Sequence, residues 1–453
     1  MCAILPLLES HAECAFLHRF FDLIPTTLAA DQKTTPTHFT RTRKLPLPRL
    51  IMSLLSLVAT GQGRSVDTHL GSFFRTARRS GLWPDAEAPH RSAVSKARNK
   101  VPWTLFQTIL ADAVQLAYDV WPDEPSSAWH GLSVFAIDGS VYTLPATDLL
   151  RQTFDPQSGL NTAGKGHFPQ CLVSTLYDVF RRLPVARSIV GATGAERDEA
   201  EGLLPAIPAN SITLFDRGYP SYDFLRLLTK RLCGFFVVRC PATCTFPAVE
   251  EFVASGQPEA IIWLTPSNKA LKKKPRHQRV HLPALKLRVL LLTSPDGTVS
   301  VLLTNLRNTQ TFPREDIVAL YFRRWNIEGY YRDEKVTLDL ERFHARTPNG
   351  IRQELFAAMI MTVISRTMMR WTANHCLPYD RECQFKHAIL TLGAEAAVLV
   401  PADPELAVRI FQEVIQEMAR VIYYRPTTPR PSQPRVNKHP VNKWSNRNRS
   451  SMP

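Results

Sequence analysis

The stretch from Tyr321 to Lys335, YFRRWNIEGYYRDEK, gathers cations and phenols around one carboxylate. At about 100° per residue of an ideal helix, Tyr321, Arg324, Glu328 and Lys335 fall on one face, and Arg332 shares it. A solvated helix would instead pair acids with bases at four-residue spacing. Guanidinium, ammonium and phenol groups bind phosphate, and a carboxylate binds hard metal ions. The pattern therefore indicates a metal-assisted reaction at a phosphodiester.

Two more carboxylates stand at the ends of predicted buried strands. The run VFAID ends at Asp138, and the run ITLFD ends at Asp216. Phosphoryl transfer with two metal ions needs carboxylates from separate elements, because each hard cation needs several oxygen ligands. Asp-Gly-Ser and Asp-Arg-Gly are also good turn sequences, so each aspartate alone has a structural explanation. Together with Glu328 they predict a site of three carboxylates.

The spacing of hydrophobic residues changes along the chain and predicts the helices and strands that must position these acids. Residues up to about 125 show helical periodicity, and three β-rich runs separated by turns follow between Leu132 and Val190. A helical run, the strand ending at Asp216, a second helix and the strand GFFVVRC come next. This order predicts an α/β sheet whose three leading strands are antiparallel. A strand-rich block follows at about 241–308, and helical periodicity then resumes.

The net charge of the chain indicates which class of partner it binds. Its 453 residues carry a formal net charge of +15, and a surface of this kind attracts polyanions, most commonly nucleic acid. Apolar runs such as Leu50–Thr60 are too short to cross a bilayer. Eight scattered cysteines are typical of a reduced compartment. We expect a cytoplasmic protein that binds nucleic acid and has no membrane partner.

These motifs resemble those of a known family. Tyr321, Arg324, Glu328 and Lys335 match the Y-x2-R-x3-E-x6-K signature of bacterial DDE transposases of the fourth insertion-sequence family. The sequence AIDGS is similar to the first aspartate motif of that family, and DRGY is similar to the second. The run RFHARTPNGIRQEL resembles the segment that follows the signature. The resemblance is strongest over residues 132–355.

The resemblance implies an α/β fold, with a ribonuclease H-like catalytic core that holds a β-rich insertion and is preceded by an all-helical DNA-binding domain. The expected ranges are a helical DNA-binding domain at 1–125, the first part of the core at 126–240, the β-rich insertion at 241–308, the second part of the core with the glutamate helix at 309–372, a C-terminal helical region at 373–424 and a basic disordered tail at 425–453.

The same resemblance implies the chemistry. Asp138, Asp216 and Glu328 are the expected catalytic residues and bind two Mg²⁺ ions, for which Mn²⁺ can substitute. One ion activates water or a 3′-hydroxyl for in-line attack, and the other stabilises the leaving oxygen. The implied enzyme is a DNA transposase that cuts at the terminal inverted repeats of its own insertion sequence and joins the 3′ ends to target DNA. Its expected partners are double-stranded DNA and a second copy of the chain, at the bacterial nucleoid.

Several other residues are expected to contact DNA. By resemblance, Arg324 and Lys335 hold phosphates near the cleaved end and Tyr321 contacts the backbone, while Arg332 shares their helix face. The alternative is structural pairing with acids nearby in the sequence. All four side chains are nevertheless predicted DNA contacts.

Two further DNA contacts are predicted outside the signature. Lys96 and Arg98 belong to HRSAVSKARNK, a helical run of small and basic residues that suits a DNA groove; the alternative is a solvated helix face. Trp263 in AIIWLTP is a candidate for stacking on an extruded base, as a tryptophan does in some relatives; the alternative is the core of the insertion. The cationic loop at 268–279 is a further candidate for phosphate contacts.

Two other functions remain open from the sequence. A ribonuclease H-like metal-dependent nuclease without strand transfer would carry the same acids. A catalytically silent DNA-binding derivative would keep the basic surface. The long helical N-terminal region and the insertion favour site-specific end binding over the first, and three intact acids argue against the second.

Overall fold

The structure, a computed structural model, describes residues 11–32, 39, 45–60, 65–121, 127–156, 168–266, 282–293, 297–378, 381–401 and 403–423. The cationic loop at 268–279 and the tail at 425–453 lie outside the described residues, and so do the predictions made for them.

Helices and strands alternate through the middle of the chain and give way to helices at both ends. The helices are α1 (His11–Gln32), α2 (Leu47–Thr60), α3 (Val66–Arg79), α4 (Arg91–Arg98), α5 (Trp103–Val120), α6 (Asp148–Phe154), α7 (Glu196–Leu203), α8 (Tyr222–Arg231), α9 (Pro247–Ala254), α10 (Arg314–Phe322), α11 (Trp325–Arg332), α12 (Pro348–Cys376), α13 (Phe385–Ala394) and α14 (Pro404–Arg420). The strands are β1 (Ser133–Thr143), β2 (Gln170–Asp178), β3 (Leu183–Gly191), β4 (Ser211–Phe215), β5 (Phe235–Pro241), β6 (Glu259–Leu264), β7 (Leu285–Thr293), β8 (Val299–Thr304), β9 (Glu382–Cys383) and β10 (Ile422–Tyr423).

The main sheet confirms the predicted mixed α/β class. Among the described residues its eight strands run in the order β3-β2-β1-β4-β5-β8-β7-β6. Strand β2 pairs antiparallel with both β1 and β3, so the three leading strands are antiparallel to one another in sequence order, as predicted. Strand β4 lies parallel to β1 and to β5. Helices cover both faces, which is why β4 is buried along its whole length and reads as an uninterrupted apolar run.

The strands of the predicted insertion continue the core sheet. Strand β8 pairs antiparallel with β5, β7 pairs with β8, and β6 is the last strand. The sequence block at 241–308 therefore does not form a sheet of its own in the described residues. This joining could not be expected from local pattern, because the pairing of β5 with β8 links segments about sixty residues apart.

Helices from both ends of the chain pack into one layer around α12. This helix begins at a threonine cap, where Oγ1 of Thr347 accepts from the backbone N of Gly350 at 3.2 Å, and Pro348 takes the first helical position. Apolar side chains of α2, α5, α12 and α14 share a single core with one face of the main sheet. The N-terminal helices are thus packed against the catalytic half instead of standing apart from it.

None of the helices in the described ranges is long and apolar enough to span a membrane.

Candidate active site

The pairing of two parallel strands brings the two predicted aspartates to one edge of the sheet. In the register of β1 and β4, Ala136 lies opposite Leu214, and each strand reaches its aspartate two residues later, at Asp138 and Asp216. Backbone amides then fix the carboxylates, since Oδ1 of Asp138 accepts from Gly139 at 3.0 Å. The corresponding atom of Asp216 accepts from the amide two residues further on, at 2.7 Å.

Arg324 links the third predicted acid, Glu328, to Asp138. Nη2 of Arg324 donates to Oε1 of Glu328 at 2.7 Å, and Nη1 lies 3.4 Å from Oδ2 of Asp138. Arg324 is 6% exposed, so little water competes for these contacts. One guanidinium therefore links the acid of the signature helix to the acid of β1. The structure brings the three sequence-predicted acids into one neighbourhood.

The stretch from Tyr321 to Lys335 does not form the single ideal helix on which its residues were placed in the sequence analysis. Backbone amides of Arg323, Arg324, Asn326 and Ile327 each bond to the carbonyl three residues earlier, at 2.9 to 3.1 Å. This tightening separates α10 from α11. A π-helical turn at Asp333–Thr337 then widens the backbone. Arg324 and Glu328 lie between the tightened turn and the π-helical turn, and they still form an i, i+4 pair.

A fourth carboxylate, which the sequence analysis missed, lies beside the three. Glu196 begins α7, and a Cβ added at Gly139 would lie 2.7 Å from its Oε1, so a larger residue at 139 would displace this carboxylate. Within the described chain Glu196 has no hydrogen-bond or ion-pair partner. Arg197 fastens this end of α7 to the turn after Asp216, through bonds from Nε and Nη2 to the carbonyl of Gly218 at 3.0 and 2.8 Å. An acid in the first turn of a helix is common, so the sequence alone gives no distinctive signal.

The electrostatics of the cluster favour a bound cation. Burial raises the pKa of Asp138 to about 7, because Arg324 offsets it only in part and the charges of Asp216 and Glu196 add to it. Burial and the charge of Asp216 also raise the pKa of Glu196. Hard oxygen donors that repel one another are the ligands a divalent ion stabilises. The chemistry of the donor set therefore fits Mg²⁺ or Mn²⁺.

The side chains are not yet arranged as a closed metal cage. Among the residues that the structure describes, no three His, Cys, Asp or Glu side chains converge closely enough to hold a metal ion. The guanidinium of Arg324 contacts two of the acids, Asp138 and Glu328, and offsets part of their negative charge.

A buried polar network holds the signature helix against the sheet. Glu334, fully buried, accepts from Nη2 of Arg187 at 2.9 and 2.8 Å and from the hydroxyl of Tyr330 at 2.5 Å. The hydroxyl of Tyr142 donates to the same carboxylate. Because Arg187 lies on β3 and Tyr142 on β1, the network ties two strands to the helix that carries Glu328. Such a network keeps its partners at fixed positions.

Tyr321 and Arg324 are both buried in this structure. Tyr321 is 2% exposed, and its hydroxyl lies 3.4 Å from the carbonyl of Phe215, the residue before Asp216. Arg324 is buried on the site acids, as described above. In this structure Arg324 contacts two of the site acids and Tyr321 contacts the residue before Asp216, and the DNA contacts of both side chains stay predictions.

Lys335 and Arg332 have different surroundings. Nζ of Lys335 donates to the carbonyl of Val141 at 2.6 Å and lies 4.6 Å from the ring centre of Tyr142, and burial lowers the pKa of this lysine. This is structural pairing, although with a carbonyl and a ring instead of an acid. Arg332 is exposed. Its DNA contact stays a prediction.

Of the two residues of α4 that were predicted to contact DNA, one is exposed and one is buried. Arg98 is 7% exposed and donates to Oε1 of Gln353 at 3.0 Å, Oε1 of Glu354 at 2.9 Å and the carbonyl of Gly350 at 3.0 Å. In this structure the donors of Arg98 are engaged by α12, and its DNA contact stays a prediction. Lys96 is exposed, and its DNA contact stays a prediction.

Trp263 lies on the surface of the outermost strand, β6. Its side chain is 56% exposed, and Nζ of Lys286 lies 5.4 Å from its ring centre. The alternative that placed this tryptophan in a core is wrong, because more than half of its side chain is exposed. Stacking on a base remains a prediction.

The chain is similar to several known proteins. Residues 129–364, more than half of the chain, match the family described as "Transposase DDE domain". The transposase InsG for insertion sequence element IS4 of Escherichia coli (strain K12) is 27% identical over 293 residues, 64% of this chain and 63% of the relative. InsZ of the same strain, whose designation as a transposase is provisional, is 30% identical over 166 residues, 35% of this chain and 53% of the relative.

A solved structure is more distant. The cryo-EM structure of a piggyBac transposase synaptic complex with hairpin DNA covers 88% of this chain and 84% of that chain, at 9% identity and a TM-score of 0.43, which is too low to support an argument. The chain spans less than two thirds of the length of InsG and of InsZ. The match to InsG agrees with the fourth insertion-sequence family that the signature indicated. With its three acids gathered at one sheet edge and the family matched across them, the chain belongs to the transposase DDE domain family.

Proposed function

We propose that the protein is a DNA transposase that cuts at the terminal inverted repeats of its own insertion sequence and joins the 3′ ends to target DNA. The observation that carries the proposal is the meeting of Asp138, Asp216 and Glu328, which come from three elements far apart in the chain. Two of them are joined through one guanidinium. The strand order, with three antiparallel strands followed by two parallel ones, supports a ribonuclease H-like core.

The site residues have the donor chemistry for two divalent ions. Asp138, Asp216 and Glu328 would hold them, and Glu196 is placed to contribute a fourth carboxylate. The bound ions, Mg²⁺ with Mn²⁺ as a substitute, would activate the attacking hydroxyl and stabilise the leaving oxygen.

The chain itself prepares this site before DNA arrives. Arg324 compensates the charge of Asp138 and Glu328, so the buried acids stay close together without a metal. Tyr331 donates to the carbonyl of Asp138 at 2.7 Å and fixes the backbone of β1 behind the carboxylate. When a phosphodiester enters, the guanidinium of Arg324 is the group beside the acids that can bind its oxygens in two-pronged fashion.

Double-stranded DNA, both element ends and target, is the proposed partner. The formal net charge of +15 supports this, as do the exposed cations at Lys96 and Arg332. We propose that residues 1–125 contribute end binding and that two copies act together, because two ends must be cut and joined. The protein would act in the bacterial cytoplasm, at the nucleoid.

A strand-transfer assay distinguishes this function from its alternatives. A labelled, pre-cleaved element end with a free 3′-hydroxyl is incubated with the protein, Mg²⁺ and a supercoiled plasmid, and Glu328→Gln serves as the control. A transposase joins the label to the plasmid, whereas a nuclease only degrades it. A silent derivative shifts the labelled DNA in a gel and does neither. The end sequences come from the DNA beside the coding region, where matched inverted ends outside a short direct duplication are expected.

A further inference from the structure

Tyr219 ends the turn that follows Asp216 and lies in a buried aromatic cluster. Its backbone N lies 3.4 Å from the carbonyl of Asp216, which closes the turn, and its side chain is 0% exposed. The centre of its ring lies 5.3 Å from that of Phe215 and 5.5 Å from that of Phe224. The position of this side chain is therefore fixed by the turn at its backbone and by packing along its ring.

The hydroxyl of Tyr219 is a buried donor without an acceptor. It has no hydrogen-bond partner in the part of the chain that the structure describes. By contrast, the hydroxyl of Tyr331 donates to the carbonyl of Asp138 at 2.7 Å. That of Tyr222 donates to the carbonyl of Pro283 at 2.6 Å. An unpaired hydroxyl in a core is costly, and phenylalanine would fill the same space without that cost. The hydroxyl therefore points to a partner that it gains in another state of the site.

The fold places the carboxylate of Glu196 near this hydroxyl. Arg197 donates to the carbonyl of Gly218, the residue before Tyr219, at 3.0 and 2.8 Å, so the first turn of α7 is fastened beside the tyrosine. Burial raises the pKa of Tyr219 well above its ordinary value, and the charge of Glu196 adds more to this rise than any other charge does. The hydroxyl therefore keeps its proton, and an unpaired donor lies close to an unpaired carboxylate.

A hydrogen bond from this hydroxyl would prepare Glu196 to hold a divalent ion. Burial and the charge of Asp216 raise the pKa of Glu196, so the charged form of its carboxylate is disfavoured. A metal ion binds the charged form, and a donor that bonds to the charged form favours it. Hydrogen bonds of this kind commonly orient the side chains that bind metal ions in proteins.

We propose that Tyr219 is a positioning residue of the metal site, and that its hydroxyl donates to the carboxylate of Glu196 when this carboxylate joins the site aspartates as a ligand of divalent ions. The inference rests on the proposed function, since it concerns the metal site of the same enzyme. In this role Tyr219 touches neither DNA nor a reacting atom. It acts through Glu196, because the hydrogen bond fixes the direction in which that carboxylate presents its oxygens.

The test is a double-mutant cycle on Mn²⁺ binding, measured by calorimetric titration of the full chain. Tyr219→Phe should weaken Mn²⁺ binding about fivefold, less than the loss of about tenfold expected for Glu196→Gln. The double variant should bind Mn²⁺ as weakly as Glu196→Gln alone, because the hydroxyl acts through that carboxylate. Tyr222→Phe is the matched control, since it removes a bonded hydroxyl from the same aromatic cluster. Its Mn²⁺ binding should change by less than about twofold.

Thermal unfolding in EDTA separates this role from a structural one. Tyr219→Phe should melt at or above the wild-type temperature, since it removes a buried donor that has no acceptor. Tyr222→Phe should melt at a lower temperature, because the carbonyl of Pro283 loses its donor. A marked fall of the melting temperature in Tyr219→Phe would show that its hydroxyl has a partner in the fold, and would overturn the inference.

Mn²⁺ binding decides the remaining outcomes. Wild-type affinity in Tyr219→Phe, or a double variant whose loss is the product of the two single losses, would overturn the inference and leave the proposed function intact. A weakening in Tyr219→Phe that disappears in the Glu196→Gln background supports the inference even if the wild type never joins DNA ends, in which case the proposed function alone fails. Absence of Mn²⁺ binding in the wild type would overturn the inference together with the metal site on which it rests.

Discussion

Nη2 of Arg324 lies 2.7 Å from Oε1 of Glu328, and the other terminal nitrogen of the same guanidinium lies 3.4 Å from Asp138. A cation of the chain thus contacts two of the carboxylates that would hold a metal ion. The arrangement keeps the acids together at low dielectric, where unpaired carboxylates would repel one another. It also means that a metal ion and Arg324 compete for the same oxygens.

Competition of this kind predicts an unusual response to mutation. In Arg324→Gln the competing charge is gone, so Mn²⁺ should bind several-fold more tightly in calorimetric titration, while DNA cleavage falls at least about 100-fold. Arg324→Lys is the matched control, because its ammonium keeps the charge but reaches one carboxylate in place of two. Weaker Mn²⁺ binding in Arg324→Gln would show that the guanidinium supports the metal site instead of competing with it.

Glu196 provides a second prediction. Its carboxylate lies against Gly139 and shares the field of Asp138 and Asp216, so Glu196→Gln should raise the Mn²⁺ concentration needed for half-maximal binding about tenfold. Asp198→Asn is the control, since that residue is exposed on the same helix. Identical Mn²⁺ titrations for the two variants would remove Glu196 from the site.

The pair of Arg98 and Glu354 should set part of the acid stability. Burial alone would raise the pKa of Glu354, but Arg98 and His344 outweigh it and hold that pKa at about 2. The folded value is below the ordinary 4.5, so the stabilisation is complete above pH 4.5 and is lost as the pH falls towards 2. It amounts to about 3 kcal/mol.

Glu354→Gln tests that pair. At pH 7 the variant should lose about 3 kcal/mol of unfolding free energy in urea, and the loss should shrink as the pH approaches 3. Glu251→Gln, exposed on α9, should match wild type throughout. A loss that is constant with pH would mean that packing, and not charge, connects Glu354 to Arg98.

Trp263 should matter for DNA and little for stability. Its ring is 56% exposed, so Trp263→Ala should leave the melting temperature nearly unchanged. If the ring stacks on an unpaired base, the loss is about 1 to 3 kcal/mol for DNA with an extruded base and none for plain duplex. Ile261→Ala, exposed on the same strand, is the control. Equal losses on both DNAs would contradict base stacking.

The sequence was most informative where a local pattern carried the chemistry. The ends of buried strands predicted Asp138 and Asp216 as site residues, and the spacing of the signature motif predicted Glu328. Glu196 was hidden because an acid in the first turn of a helix has an ordinary explanation in the helix dipole. The role of Arg98 was hidden because its partners lie more than 250 positions away, on α12. Continuity of the main sheet depends on the pairing of β5 with β8, which no local period reveals.

The most direct test of the central claim is cleavage of DNA that carries the inverted ends, with purified full-length protein, followed on a denaturing gel. Cleavage at the ends should require Mg²⁺ or Mn²⁺ and should fall at least about 1,000-fold in each of Asp138→Asn, Asp216→Asn and Glu328→Gln, while all three variants still bind the DNA. Cleavage at the ends in EDTA, or full activity in any of the three variants, would contradict a site in which these carboxylates share divalent ions.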